Sequence, residues 1–145
     1  MEVRLVTGGE ALEEAAAILS HLRTQFTFGA LLHQVKKQIE QGYQLACVYD
    51  GNKMVAVGGF IMGLKLAWGK HIYVDDVIVL PEERSKGAGK VLIDWLKQHA
   101  RAEGCDQLHL DSGVQRFDAH RFYLREGLNI ASHHLSNTNI QDGSY

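Results

Sequence analysis

Two stretches in the first third of the chain carry the hydrophobic pattern of amphipathic helices. Between Glu10 and Arg23 the apolar residues recur at steps of three and four, which places them on one helical face. They are Leu12, Ala15, Ala16, Leu19 and Leu22. A second stretch repeats the pattern at Leu31, Leu32, Val35 and Ile39, and Gly42 supplies its stop signal.

On either side of these two helices the hydrophobic pattern changes to the period of two residues that is typical of strands. Residues 2–6 alternate and predict a short strand. Residues 43–50 and 53–67 flank an Asp-Gly-Asn turn, which predicts a hairpin. Residues 71–81 are apolar on both faces, as expected of a strand at the centre of a sheet.

The second half of the chain alternates helices with strands. The pattern predicts a helix over Ala88–Ala102 with Trp95 in the core, then a strand over 105–111. A short helix over Phe117–Glu126 and a last strand over 128–135 follow.

The predicted element order is therefore β-α-α-β-β-β-α-β-α-β. Strands joined by hairpins are antiparallel, whereas the later strand–helix–strand units require parallel crossovers. We predict an α/β fold of the α+β kind, a mixed central sheet with helices on both faces. The whole of residues 1–145 forms a single domain, whose polar tail, 136–145, is expected to fray.

Composition and charge narrow the class of protein. With 46% hydrophobic and 22% charged residues, the chain is an ordinary globular protein, which excludes disorder, collagen and coiled coil. A formal net charge of −2 argues against a nucleic-acid partner. The acidic N-terminus does not resemble a signal peptide and no apolar run reaches bilayer length, so we expect a cytoplasmic protein with no membrane partner. Cys47 and Cys105 are expected to be buried, reduced thiols.

Residues 75–96 carry the most informative chemistry. A buried strand runs into a loop with Gly87 and Gly89, which opens a helix whose first amides are free to bind an anion. Arg84, Lys86 and Lys90 add positive charge there. The P-loop pattern fails because Arg84 replaces its first glycine and a valine follows Lys90, and the dinucleotide fingerprint lacks its third glycine. The pattern that fits is Arg-x-x-Gly-x-Gly at the start of a helix.

This segment, VIVLPEERSKGAGKVLIDWL, resembles the cofactor motif of the GNAT superfamily of acetyl-CoA-dependent N-acetyltransferases, and HRFYLREGL resembles that family's second motif. The resemblance covers nearly the whole chain and implies an acyltransferase that uses acetyl-CoA and forms a homodimer. It implies that Val77–Val79 pair with the pantetheine arm and that the amides of 85–90 cradle the pyrophosphate. The family often has Asn where this chain has Arg116, an arginine that could meet a phosphate instead. The implied cofactor-binding residues are Val77, Ile78, Val79, Arg84, Ser85, Lys86, Gly87, Ala88, Gly89, Lys90 and Arg116.

The reaction requires a base and an acid. Only about one alkyl amine in 10³ is neutral at pH 7, so a base must remove a proton before the amine attacks the thioester. Asp75 and Asp76 lie just before the cofactor-pairing residues; neighbours on a strand face opposite sides, and we favour Asp76. Either aspartate could instead attract a cationic substrate or cap a loop. The resemblance places Tyr123 beside the thioester sulfur, where its phenol can protonate the departing thiolate.

Other residues have two interpretations each. Eight histidines could suggest a metal, but no set has zinc-site spacing and His133 and His134 are adjacent, so we predict no metal site. His120 either approaches the cofactor or is an exposed helix residue. Phe26, with its neighbours Arg23 and Gln25, either lines the acceptor site or occupies an exposed loop.

The acceptor is expected to be a primary amine of a small molecule. DAHRFYLREG resembles aminoalkylphosphonate acetyltransferases, and a phosphonate would need cations such as Arg23 and Lys65. A polyamine or a protein lysine would instead use Asp75 and Asp76. The alternative from another class is a non-catalytic acyl-CoA-binding regulatory module on the same fold.

Overall fold

One sheet of five strands organises the first 110 residues in a computed structural model that describes residues 1–143. The strands lie side by side in chain order: β1 (Glu2–Val6), β2 (Gln44–Asp50), β3 (Lys53–Lys65), β4 (Gly69–Val79) and β5 (Gln107–Leu110). Each neighbouring pair among the first four strands is antiparallel, while β4 and β5 are parallel because a helix crosses between them.

Helices cover both faces of this sheet. Helices α1 (Gly9–Leu19) and α2 (Phe28–Glu40) bury their apolar faces in one core with Cys47 and Val57. Helix α3 (Ala88–Ala102) covers the other face, where the Leu92 side chain lies 3.0 Å from the position that a Cβ on Gly58 would occupy. Residues 57 and 58 are neighbours on β3, so their opposite directions separate the two cores.

The chain divides into two compact units, Met1–Leu110 and Asp111–Tyr145, the second described as far as residue 143. The second unit contains α4 (Phe117–Arg125) and a 3-10 turn at Ile140–Asp142. Within the described residues no helix is long and apolar enough to cross a membrane. No group of three or more His, Cys, Asp or Glu side chains in that part of the chain is placed to hold a metal ion.

The predicted elements are confirmed over most of the chain, with two corrections. The strand predicted over 128–135 is wrong: those residues carry no strand and most are exposed, with Ile130 75% accessible. Of the two interpretations of Phe26, the exposed loop is also corrected, because its ring is partly buried against the α1–α2 core. In the tail, residues 136–143 are exposed and 144–145 lie outside the described residues, so fraying stays a prediction.

Candidate active site

The N-terminus of α3 presents free backbone amides. Gly87 precedes the helix in the left-handed conformation, with φ of 92°, and contributes no side-chain cap. The first helical hydrogen bond runs from the Val91 amide to the Gly87 carbonyl at 3.1 Å. The amides of Ala88 and Gly89 therefore have no acceptor within the helix, and together with the helix dipole they favour an anion.

The side chains around this loop are less free than the sequence predicts. Lys86 donates to the Glu83 carboxylate at 3.1 Å, and Lys90 lies 3.3 Å from Asp94 one helical turn on. Arg84 is exposed, and no ion pair engages it within residues 1–143. Ser85 adopts a φ of 66°, so a non-glycine residue also occupies the left-handed region here.

Strand β4 has a free edge directly before this loop. Its pairing with β5 ends at Val74 opposite Leu110, although β4 continues to Val79. Among the described strands none pairs with the Val77–Val79 stretch on that side. The backbone there can hydrogen-bond to an extended polar chain, as the sequence resemblance implies for pantetheine.

The two adjacent carboxylates on β4 have different surroundings. Asp76 is held on both oxygens: the Tyr43 hydroxyl donates to Oδ2 at 2.6 Å and the Arg23 Nε donates to Oδ1 at 2.9 Å. A terminal nitrogen of Arg23 also donates to the main-chain oxygen of Asp75 at 3.0 Å. The arrangement connects β4 with the chain segment after α1 and with the residue before β2.

Asp75 is exposed, and no side chain in the described residues pairs with its carboxylate. Gly59 pairs with Asp76 and Phe60 with Val74, so Asp75 is the extra residue of a β-bulge. Desolvation and the negative charge of Asp76 raise the pKa of Asp75, while Arg23 acts in the opposite direction. A carboxyl group with a raised pKa is a stronger base once ionised.

Tyr123 and Arg116 both belong to the second unit, where Arg116 directly precedes α4. Burial raises the pKa of Tyr123, with Arg116 acting in the opposite direction, so the phenol stays protonated at neutral pH. His120 is half-buried and its Nε2 lies 2.7 Å from the Gly113 carbonyl oxygen. A bond from α4 to the loop before it therefore accounts for this histidine.

The two cations that a phosphonate acceptor would require are both engaged. Arg23 is paired with Asp76, and the Lys65 ammonium lies 4.0 Å from the centre of the Trp68 ring. Lys65 ends β3, next to the turn into β4. The part of the first unit around Asp75 thus offers a free carboxylate and no free cation among these candidates.

Comparison with known proteins decides the family. A family model described as "Acetyltransferase (GNAT) family" matches residues 14–128. The chain belongs to the GNAT acetyltransferases. It is accordingly an acyltransferase whose acyl donor is acetyl-CoA, as the sequence resemblance implied.

Individual relatives agree with this assignment. The chain is 31% identical over 135 residues to "Uncharacterized N-acetyltransferase YhdJ" of Bacillus subtilis (strain 168), covering 92% of this chain and 95% of the relative. It is 41% identical over 54 residues to "Aminoalkylphosphonate N-acetyltransferase" of Salmonella typhimurium, covering 37% and 35%. The fold matches a crystal structure of aminoglycoside N-acetyltransferase AAC(6')-Iy in complex with CoA, with a TM-score of 0.81 at 14% identity, covering 94% of this GNAT chain and 92% of that one.

Sequence reasoning on this GNAT chain missed Tyr43 and Glu83. Tyr43 precedes a strand and is separated from Asp76 by 33 residues, so no local pattern connects them. Glu83 sits in the Pro-Glu-Glu turn Pro81–Glu83, where a glutamate is ordinarily a solvated surface residue. The one available signal was Lys86, an opposite charge three residues further along the chain.

Proposed function

We propose that this GNAT enzyme transfers the acetyl group of acetyl-CoA to a primary amine of a small molecule, by direct attack of the amine on the thioester. One observation carries the proposal. The unpaired edge of β4 leads into the free amides at the start of α3, and the carboxylates of Asp75 and Asp76 come directly before that edge. A donor-binding strand and a base are thereby adjacent in the chain.

The donor would be held mainly by backbone groups. In this proposal Val77, Ile78 and Val79 pair with the pantetheine arm, and the amides from Ser85 to Lys90 bind the pyrophosphate. Exposed Arg84 adds an unpaired positive charge beside those amides. Arg116, in the second unit, is proposed to contact a phosphate of the same donor.

In this proposal a carboxylate of β4 acts as the base and the Tyr123 phenol acts as the acid. A β4 carboxylate takes a proton from the substrate ammonium, and the neutral amine nitrogen forms a bond to the thioester carbonyl carbon. The carbon–sulfur bond then breaks, and the Tyr123 phenol donates a proton to the thiolate. The nitrogen loses its second proton as the amide forms, and that proton restores the Tyr123 phenol. The carboxyl group releases its proton to the medium, so ammonium and acetyl-CoA become acetamide, free CoA and one released proton.

The charges around β4 favour an acceptor without an anionic group. Asp75 and Asp76 carry two negative charges against the single guanidinium of Arg23, which Asp76 already engages. Similarity to the aminoalkylphosphonate enzyme covers 54 residues, and the cations that a phosphonate would need are occupied. We therefore infer an alkyl amine or polyamine as the preferred class of acceptor.

Two further properties belong to this proposal. The resemblance to GNAT proteins implies a homodimer, which sedimentation velocity of the purified protein tests. A reducing cytoplasmic location fits the free thiols of Cys47 and Cys105.

The experiment is an acetyl-transfer assay that measures release of free thiol from acetyl-CoA. The acceptors are a polyamine, an aminoalkylphosphonate and a lysine peptide, and we expect the polyamine to have the highest kcat/KM. Tyr123→Phe should lower kcat about 100-fold while leaving acetyl-CoA binding intact. Tyr49→Phe, a buried tyrosine of β2 outside the proposed site, is the matched control. Binding of acetyl-CoA without thiol release on any amine would support a regulatory module instead and refute the proposal.

A further inference from the structure

The two neighbouring carboxylates of β4 differ in a way that assigns them separate tasks. Resting on the proposed acetyl transfer, we propose that the Asp75 carboxylate is the group that accepts the amine proton. Asp76 is a positioning residue: Tyr43 and Arg23 hold its carboxylate, and Asp76 thereby sets the bulge at Asp75. The assignment reverses the preference drawn from the sequence, which favoured Asp76.

Asp76 is poorly suited to take up a proton because both of its oxygens are already acceptors. Its side chain is 13% accessible, and the Tyr43 hydroxyl and the Arg23 guanidinium occupy Oδ2 and Oδ1. Protonation there would displace one of these donors and leave a part-buried polar group without a partner, which is costly. The bonds to an ionised carboxylate are also the stronger kind of hydrogen bond.

Tyr43 behaves as a permanent donor in this arrangement. Its side chain is buried, and that burial, together with the charges of Asp76 and Asp75, raises the pKa of Tyr43 well above its ordinary value. The phenol therefore stays protonated throughout the working range of pH. It holds the Asp76 carboxylate in place without taking part in proton transfer.

Gly59 provides the space that the Tyr43 side chain needs to reach Asp76. A Cβ on Gly59 would lie 1.7 Å from the Tyr43 hydroxyl oxygen, so only glycine accommodates the ring at this point of β3. Gly59 pairs across the sheet with Asp76, at the edge of the bulge. The absence of a side chain at Gly59 thus lets the Tyr43 hydroxyl reach Asp76, the residue that directly follows the bulge at Asp75.

Arg23 contacts both residues at the bulge. One terminal nitrogen bonds to the main-chain oxygen of Asp75, while Nε bonds to the Asp76 carboxylate. The guanidinium thereby sets the backbone orientation of the bulged residue and leaves the Asp75 side chain unpaired. Bulges of this kind commonly redirect a side chain beside an active site.

The first arm of the experiment compares pH profiles of kcat/KM for the amine. Asp75→Asn should lower kcat about 100-fold or more and remove the acidic limb of the profile, with KM for acetyl-CoA unchanged. Tyr43→Phe, with Tyr49→Phe as the matched control, should lower kcat about tenfold and keep the acidic limb, because Asp75 is retained. A profile that loses its acidic limb in Asp76→Asn but keeps it in Asp75→Asn would overturn the assignment.

The second arm does not depend on activity, so it separates this inference from the proposed function. The charged groups that act on Asp75 in the first unit are Asp76 and Arg23, and Asp75 in turn acts on the neighbouring Tyr43 phenol. In carboxyl-carbon NMR titrations, Asp76→Asn should lower the pKa of Asp75 and Arg23→Gln should raise it. Amide hydrogen exchange at the bulge should accelerate in Tyr43→Phe and not in Tyr49→Phe. Unchanged exchange would contradict the positioning role. Absence of acetyl transfer by the parent enzyme would refute the proposed function and with it the base role of Asp75, but not the positioning role of Asp76, which this arm tests by itself.

Discussion

Glu83 is a nearly buried carboxylate, 8% accessible, beside a loop that is proposed to bind a polyanion. It accepts hydrogen bonds from Lys53 at 2.8 Å and from Lys86 at 3.1 Å, and these bonds hold the pKa of Glu83 below its ordinary value. The carboxylate subtracts one charge from the cationic surface, yet it ties the loop to the start of β3. Electrostatics and positioning therefore predict opposite effects when its charge is removed.

We predict that Glu83→Gln weakens acetyl-CoA binding about fivefold, even though the local positive charge rises by one unit. The reason is that Lys86 and the strained residue Ser85, with φ of 66°, lose the anchor that fixes the loop. Isothermal titration calorimetry at low and high salt measures the change, with the exposed neighbour Glu82→Gln as control. Tighter binding of acetyl-CoA by Glu83→Gln would show that charge outweighs positioning.

At the scale of elements, helix α3 and strand β1 were predictable to the residue. Flanking glycines mark the ends of α3, and alternating polar and apolar residues mark β1. The strand predicted over 128–135 was wrong, since the alternation of that segment breaks at the polar run Ser132–His134 and a strand also needs a neighbour to pair with. The loop with Gly87 was recognisable because its chemistry is local. The contact of Arg23 with Asp76 was not, because the partners are 53 residues apart.

Strand β3 supplies a prediction at this scale through Gly59. Gly59→Ala should destabilise the protein by about 1–3 kcal/mol, because the new methyl group would displace the buried Tyr43 ring. The same displacement should lower kcat, since Asp76 loses the Tyr43 bond. Chemical denaturation and the thiol-release assay measure the two effects.

Gly29→Ala is the matched control for this substitution. Gly29 lies in α2 with nothing within 4 Å of its Cβ position, so alanine should raise stability by up to about 1 kcal/mol. A Gly59→Ala protein with unchanged stability and kcat would mean that Tyr43 is not confined as described.

At the scale of the whole molecule, the two cysteines of the first unit differ in how deeply they are buried. Cys47 is fully buried on β2, and burial raises the pKa of its thiol to about 12. Cys105 is only half-buried, between α3 and β5. Since the thiolate is the reactive form, alkylation of Cys47 requires the core between the sheet and α1 to open.

We predict that Cys47 in a Cys105→Ser background is alkylated only through this opening. Acetyl-CoA at about 100 times its Kd should then slow the labelling about 100-fold, because a ligand bound only to the native state stabilises it by about 2.7 kcal/mol. ATP and NAD at the same concentration serve as controls, and mass spectrometry follows the labelling. A labelling rate that acetyl-CoA does not change would mean that Cys47 is reached by a local opening which leaves the β4 edge and the α3 amides intact. Labelling of Cys47 as fast as that of Cys105 in the parent protein would contradict the burial of Cys47.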